Sequence, residues 1–511
     1  MKPKDQLIEE LKRILKENSV LIDMEDRYVY SFEKIFMEPA YPLPDIVVKV
    51  TSLKEAEEIS ELVEKEDAQL IKRGEQLSSF LKNLKKLLIL LDDTKISTYK
   101  STIESIRDNG EIINNLRELH RAGHGTSRNL ALAIKTLFLE KTLNKCHQCT
   151  TCSAYCTVNP SFNGIETWSS KGRALLIRGM MKGELTVSKK LVDVVYTCTK
   201  CGLCFAECFQ DLDLHEAIVA AKHYIAEKNL APQAFQVAAK NIFDYGDPGA
   251  NSVERRVLWT KKLSNPNIPQ KADALYWVGC MVANRNPNTA RAFFNVLDRA
   301  NVDFTMLGEK EGCCGYVLLS SGLWNEAEKV AKEVIEKVEK SKAKTLVTPC
   351  SGCYYTFSKL YPEILDLSMP CETLHTSQFL EKMIKNKEIK LKPLDVTVTY
   401  HDPCSLGRHS KVYDAPRNVL KAIPHLKLIE MPHNRERARC CGGGGGLWTF
   451  KHRVSMDSAY TRLKEDLISI KINTLTSACP LCEMNFRFAS RKSIPIEIFD
   501  ITEMIELAML S

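Results

Sequence analysis

The sequence predicts an α/β protein with an all-α part: a helical, cysteine-bearing segment followed by two duplicated α/β domains, with a small α/β region in front. Three observations predict it. Strand–helix alternation starts at Ala274 and runs through twice, its cysteines recurring at offsets of 124 to 129 positions: Cys280 with Cys404, Cys313 with Cys440, Cys350 with Cys479. Helical patterning fills the stretch before a Pro-, Gly- and Asn-rich linker, "DYGDPGANSVERR" and "LSNPNIPQKAD". The 19 cysteines are absent before Cys146, and all but Cys371 fall into motifs.

At 511 residues the chain is long enough for three or four domains. Hydrophobic content of 44%, charged content of 26% and a net charge of +7 are ordinary for a soluble protein. The basic residues form no arginine-rich block, which excludes a nucleic-acid binder. "MKPKDQLIEELKRILKENSV" reads as an amphipathic helix, not a signal peptide, and runs such as "LLILL" are far short of the roughly 20 residues that span a bilayer. A cytoplasmic location is expected, with any membrane association made through a partner. In that reducing setting clustered cysteines point to metal or redox chemistry, not to disulfides.

Residues 1–105 are read as the small α/β region: a helix, a short strand "DIVVKV", then "SLKEAEEISELVEKED", a helix with a serine cap and a glutamate three positions on. Residues 106–245 form the helical part. It carries "CHQCTTCSAYC" (Cys146, Cys149, Cys152, Cys156) and "CTKCGLCFAEC" (Cys198, Cys201, Cys204, Cys208). Both are C-x2-C-x2-C-x3-C, the ferredoxin-type spacing in which three thiolates hold one cubane and the fourth ligates the other. One [4Fe–4S] cubane is therefore expected on Cys146, Cys149, Cys152 and Cys208, and a second on Cys198, Cys201, Cys204 and Cys156. Zinc is the competing reading for paired C-x2-C, and two intact four-cysteine runs count against it. The usual proline after the fourth cysteine is replaced by Thr157 and Phe209.

Residues 270–388 and 392–511 are the two α/β copies. The first runs "ALYWVGC", "NTARAFFNVLDRAN", "VDFTML", "GCCG", a helix near Glu326–Ser341, "TLVTPC" and "SGCYYTFSKLY"; the second repeats the series from "VTVTYHDPC" through "RCCGG" to "TLTSACPLC" and a final helix. Each holds five cysteines: Cys280, Cys313, Cys314, Cys350 and Cys353, then Cys404, Cys440, Cys441, Cys479 and Cys482. They lie at strand ends, where an open α/β sheet places its ligands. Gly315 and Gly442, next to the vicinal pairs, let backbone N–H groups approach sulfide. "CCGGGGG" at Cys440–Gly446 is expected to be a backbone cradle for an iron–sulfur cluster. Five thiols exceed the four ligands zinc takes, and zinc in one copy stays open.

The order Cys…CysCysGly…Cys-x2-Cys, twice, behind a two-cluster region resembles the D subunit of heterodisulfide reductase over about residues 110–511. The resemblance implies that each of the two cysteine-rich (CCG) domains binds a noncubane [4Fe–4S] cluster, with all ten cysteines as ligands. It also implies that a disulfide is cleaved between the two clusters at a pseudo-twofold interface. Iron–sulfur subunits of glycolate, lactate and glycerol-3-phosphate dehydrogenases are similar, but several have lost cysteines that this chain keeps. "LPDIVVKVTSLKEAEEISELVEKEDAQLIKRGEQLSS" resembles the start of a flavin-linked oxidase. Glu75 and Gln76 stand where glycines would meet a flavin pyrophosphate, so a remnant, a docking element or a plain α/β cap is expected there.

His401 and Asp402, in "HDPC", are expected to stabilise a turn. Arg285, Arg408, His409 and Lys411 are read as surface charge, with contact to an anionic substrate as the alternative. Cys371 is expected to be a buried structural thiol. The expected function is an oxidoreductase subunit that passes electrons through two cubanes to paired noncubane clusters, reducing a disulfide or oxidising thiols. The alternative is an electron-transfer subunit joining a flavoprotein hydroxy-acid or acyl dehydrogenase to a quinone or membrane cytochrome. Expected partners are a membrane cytochrome b or flavoprotein subunit and a small disulfide or thiol.

Overall fold

In the first copy, β-branched and aromatic runs form β1 (Ala274–Tyr276), β2 (Phe304–Thr305), β3 (Thr345–Thr348) and β4 (Glu372–His375). These strands are all parallel, in the order 2-1-3-4, with Ala274 facing Phe304 on one side and Thr345 on the other. The second copy, β5 (Thr397–Tyr400), β6 (Lys427–Leu428), β7 (Thr474–Ser477) and β8 (Glu497–Asp500), has the same order, 6-5-7-8. This computed structural model describes residues 143–510 except 144, 147, 264–268 and 492–493, plus 12, 13, 20, 21, 23, 47 and 48.

The chain divides into two compact units, Met1–Ile22 with Asp45–Lys141, and Asp23–Pro44 with Thr142–Ser511. In the first, Val20–Leu21 pairs antiparallel with Val47–Val48, inside the expected "DIVVKV" strand. The rest of the expected N-terminal elements, Glu75 and Gln76 among them, lie outside the described residues.

In the second unit the cysteine motifs are framed by α1 (Ser170–Met181), α2 (Lys189–Tyr196), α3 (Leu214–Glu227) and α4 (Gln233–Tyr245). Ser169, Ser188 and Asp213 cap the first three, each side chain accepting from a backbone N–H three residues on at 3.0–3.1 Å. The α/β copies add α5 (Pro287–Arg299), α6 (Trp324–Ser341), α7 (Thr376–Lys385), α8 (Asp414–Lys421), α9 (His452–Arg462), α10 (Pro480–Ser490) and α11 (Ile501–Leu510).

Three expectations need correction. "ALYWVGC" does not stay a strand to Cys280: the sheet ends at Tyr276, Gly279 turns with φ +81°, and Cys280 opens a short helix. "SGCYYTFSKLY" is one α-turn that widens into a π-helix, Thr356–Leu365, which accommodates Pro362. "DYGDPGANSVERR" is not a free linker. Buried Asp247 accepts from Gly249 N at 2.6 Å, Asn251 Nδ2 at 3.0 Å and Asn284 Nδ2 at 2.7 Å, tying it to the first copy.

The copies pack reciprocally. α5 of the first lies against α11 of the second, and α7 of the first against α8 of the second. The same residue pair recurs at both contacts: Asn295 Nδ2 donates to Glu506 Oε1 at 2.5 Å, and Asn418 Nδ2 to Glu381 Oε1 at 2.6 Å. One apolar core runs through both, from Tyr276 and Phe293 to Tyr400, Val419 and Ile505. A pseudo-twofold axis therefore relates the copies, which share a core.

Three carboxyls, of Glu483, Asp500 and Glu503, are buried in this junction. Burial pushes Glu503 up to about 7, with Glu483 adding to it and the Thr289 hydroxyl opposing at 2.9 Å; burial also pushes Asp500 up to about 7. Both native pKa values lie above the unfolded ones, so the native state holds these protons more tightly. Their contribution is complete below about pH 4 and is lost as pH rises to about 7. Denaturant unfolding at pH 5 and pH 8 is expected to show this loss. Glu503→Gln is expected to be more stable than wild type at pH 8; equal stability there sinks the assignment.

Candidate metal centres

The two four-cysteine loops share one backbone trace. Gln148 (φ 54°) and Lys200 (φ 56°) precede the second cysteine of each motif, and Thr150 (φ 68°) and Gly202 (φ 74°) follow it. These left-handed turns wind the chain round a centre, and Lys200 N donates to Cys198 Sγ at 3.3 Å. One small cavity is lined by Cys146, Cys149, Cys152 and Cys208. Another is lined by Cys156, Cys198, Cys201 and Cys204. Each motif thus sends its fourth thiol to the other motif's cavity. Buried Arg173 donates to Cys156 Sγ at 3.5 Å, to Val194 O at 2.9 Å and to Thr197 Oγ1 at 2.8 Å, placing a cation beside the second cavity.

The two five-cysteine sets repeat each other. In the first, thiol contacts run Cys280–Cys313–Cys314–Cys353–Cys350; in the second, Cys404–Cys440–Cys441–Cys482–Cys479. All ten are buried, and the vicinal pairs are unbridged. Gly315 N donates to Cys313 Sγ at 3.4 Å, Gly442 N to Cys440 Sγ at 3.3 Å and Gly443 N to Cys441 Sγ at 3.4 Å. Hydrogen bonding from Cys313 pulls Cys314 down to about 6, and hydrogen bonding with Cys440 pulls Cys441 well down, so each set stabilises thiolate at the same place. Cys350 acts electrostatically on its matching member Cys479 across the pseudo-twofold. Five converging buried thiols with backbone donors suit an anionic metal–sulfur group, and each set exceeds a zinc site.

One difference between the copies lies beside the cysteines. His401 lies with Cys441 and Cys482, their ligand atoms within 4.8 Å of one another, whereas the corresponding position in the first copy is Trp277. The second set therefore has a nitrogen beside its five sulfurs.

The glycine run has two jobs, of which the sequence suggested one. Gly442 and Gly443 face the cysteine sulfurs, but Gly444–Gly446 face the helical part. A Cβ on Gly445 (φ +62°) would stand 2.5 Å from Cys198 O and from the carbonyl carbon of Thr199; one on Gly446 would stand 2.5 Å from the Phe235 ring. Lys222, buried in α3, closes this contact by donating to Gly445 O at 2.9 Å and Cys198 O at 3.2 Å. Only a bare backbone fits here. Gly445→Ala is expected to destabilise the fold by about 1–3 kcal/mol through overpacking. Unchanged denaturant unfolding would sink that view.

The remaining candidates separate by environment. Asp402 makes a buried bidentate pair with Arg417 (2.7 and 2.8 Å) and accepts from Arg435 N at 2.8 Å. Arg285 and Lys411 are exposed, and Cys371 is half-buried just before β4. Arg408 is not surface charge: it is buried and donates to Cys201 O at 2.7 Å. His409 is half-buried, 2.9 Å from Lys200 O and stacked on Tyr355. Sequence reasoning missed Tyr316, whose phenol hydrogen-bonds with Ser405 beside Cys404 of the second copy, and whose ring lies beside Gly352 of its own copy. Its place directly after "GCCG" was the available signal.

Residues 274–358 and 398–487 match the cysteine-rich domain family CCG. The D subunit of the dihydromethanophenazine:CoB–CoM heterodisulfide reductase of Methanosarcina barkeri is 31% identical over 389 residues, covering 72% of this chain and 94% of that protein. Its counterpart from Methanosarcina mazei is 31% identical over 388 residues, with the same coverage. A Bacillus subtilis protein named "Probable iron-sulfur-binding oxidoreductase FadF" is 29% identical over 62% of this chain and 46% of its own length. No helix among the described residues is long and apolar enough to cross a membrane.

Proposed function

The chain belongs to the family of iron–sulfur oxidoreductases typified by the D subunit of heterodisulfide reductase, and we propose that it reduces a disulfide, or oxidises a thiol pair, between its two five-cysteine sets. The observation that carries the reading is that two complete five-cysteine sets sit in copies that pack reciprocally about a pseudo-twofold, with Cys350 of one close enough to act on the matching Cys479 of the other. Reducing a disulfide takes two electrons and two protons and gives two thiols; two equivalent sets offer one place for each sulfur. The four-cysteine cavities are assigned to two cubane [4Fe–4S] clusters, on Cys146, Cys149, Cys152 and Cys208 and on Cys198, Cys201, Cys204 and Cys156. The ten cysteines of the copies are assigned as ligands of two noncubane clusters. Bound iron–sulfur clusters supply one-electron transfer at each place.

The residues of the chain do the rest. Gly315, Gly442 and Gly443 offer N–H groups to cysteine sulfur, which favours the thiolate form. Burial of all ten thiols excludes water from the junction. The Cys201 and Cys440 sulfurs are in contact, so the helical part meets the second copy through sulfur. The two Methanosarcina relatives are named as subunits, which supports a redox partner protein in a complex.

The test is iron, sulfide and zinc per chain on anaerobically purified protein, with EPR during thiol and disulfide titration. About 16 iron atoms, no zinc and a thiol-induced paramagnetic signal are expected. About eight iron atoms and no response to thiols would leave an electron carrier with structural or zinc-bearing copies.

A further inference from the structure

Where the four-cysteine region meets the second copy, a buried arginine lies between two sulfur sets. We propose that Arg408 is a positioning residue for electron transfer: its guanidinium holds the Cys201–Cys440 contact and raises the reduction potential of the metal groups on either side. The inference rests on the cluster reading above.

Arg408 is 8% exposed. Its Nε donates to Cys201 O at 2.7 Å, and Nη1 to Glu436 O at 3.0 Å and Ala438 O at 2.5 Å. It thus fixes the second cysteine of one motif to the strand of chain two residues before Cys440. Nη2 is equally buried and has no protein partner among the described residues.

The countercharge is the telling feature. Arg417, in the same copy, is neutralised by Asp402 and Glu430. Among the described residues Arg408 makes no ion pair with a carboxylate, and its hydrogen-bond partners are three backbone carbonyls. Three neutral carbonyls do not offset a buried positive charge, so the balance has to come from thiolates and the anionic group they hold. A fixed cation beside a redox group favours its more negative, reduced state, and burial keeps salt from screening it. The corresponding residue of the first copy is neutral Asn284, engaged with Asp247, so of the two copies only the second carries this charge. Arg408 thereby makes the second copy the easier one to reduce from the helical part.

The test is an EPR-monitored redox titration, with iron counted, on full-length wild type, Arg408→Gln, Arg408→Lys and Lys411→Gln. Arg408→Gln is expected to lower one or two midpoint potentials by about tenfold in the one-electron equilibrium, about 59 mV. Arg408→Lys is expected to stay within twofold of wild type, as is Lys411→Gln, whose exposed charge is the control. A Gln variant with full iron and unchanged potentials overturns this proposal alone, and so do equal shifts in the Gln and Lys variants. If Arg408→Gln sheds its iron, Arg408→Lys decides: potentials within twofold sustain the proposal and a tenfold shift overturns it. Wild-type chains without redox-active iron overturn the cluster reading and this inference with it.

Discussion

Cys208→Ser is expected to strip metal from the site built on the other motif. Cys208 sits in the second run, yet its side chain lines the cavity of Cys146, Cys149 and Cys152. Cys156, from the first run, lines the cavity of Cys198, Cys201 and Cys204. The cause is local: each C-x2-C-x2-C loop wraps one centre through its left-handed turns, and the short helix that follows carries the fourth cysteine out of that loop. The Ser variant is expected to lose about four of roughly 16 iron atoms. Its EPR difference from wild type should match that of Cys152→Ser, and Cys156→Ser should match Cys204→Ser. Iron analysis with EPR on the four variants decides it. If Cys208→Ser instead behaves like Cys204→Ser, the crossed assignment falls.

The cysteine-rich part of the chain was legible because spacing is a local code. C-x2-C-x2-C-x3-C fixes which thiols share a loop, and the offset repeat of Cys280, Cys313 and Cys350 at Cys404, Cys440 and Cys479 announced two α/β copies. Strand and helix order followed from hydrophobic runs such as "TLVT" and "TLTS", whose residues are almost all buried.

What escaped depends on packing between distant segments. β4 and β8, "ETLH" and "EIFD", are short edge strands that open on an exposed glutamate, so neither shows an apolar run. The glycine run signalled close approach but not to what, because Thr199 and Phe235 lie more than 200 positions away. Arg408 looked like surface charge since nothing in "LGRHSK" shows that Cys201 and Ala438 close over it. The same limit applied to "DYGDPGANS", whose turn residues disguised Asp247 as the anchor of a packed segment.

Asp402→Ala is expected to be among the most destabilising single changes outside the cysteines, by about 3–5 kcal/mol, because it leaves the Arg417 guanidinium charged and buried without its main partner. Both side chains are almost completely enclosed, at 3% and 2% exposure, and the pair is bidentate. Glu430 also bonds Arg417, but it is 36% exposed and hydrated, so it offsets less of the charge. The loss also frees Arg435 N, which donates to Asp402 at 2.8 Å, and so loosens the chain leading to Cys440 from one side while Cys404 loosens from the other. Two effects should then appear together: a lower unfolding free energy and preferential iron loss from the second copy. Asp402→Leu with Arg417→Leu removes both charges and fills similar volume, and is expected to recover most of the stability. Denaturant unfolding with iron analysis separates the cases. An Asp402→Ala chain within about 1 kcal/mol of wild type would show that Glu430 alone neutralises Arg417.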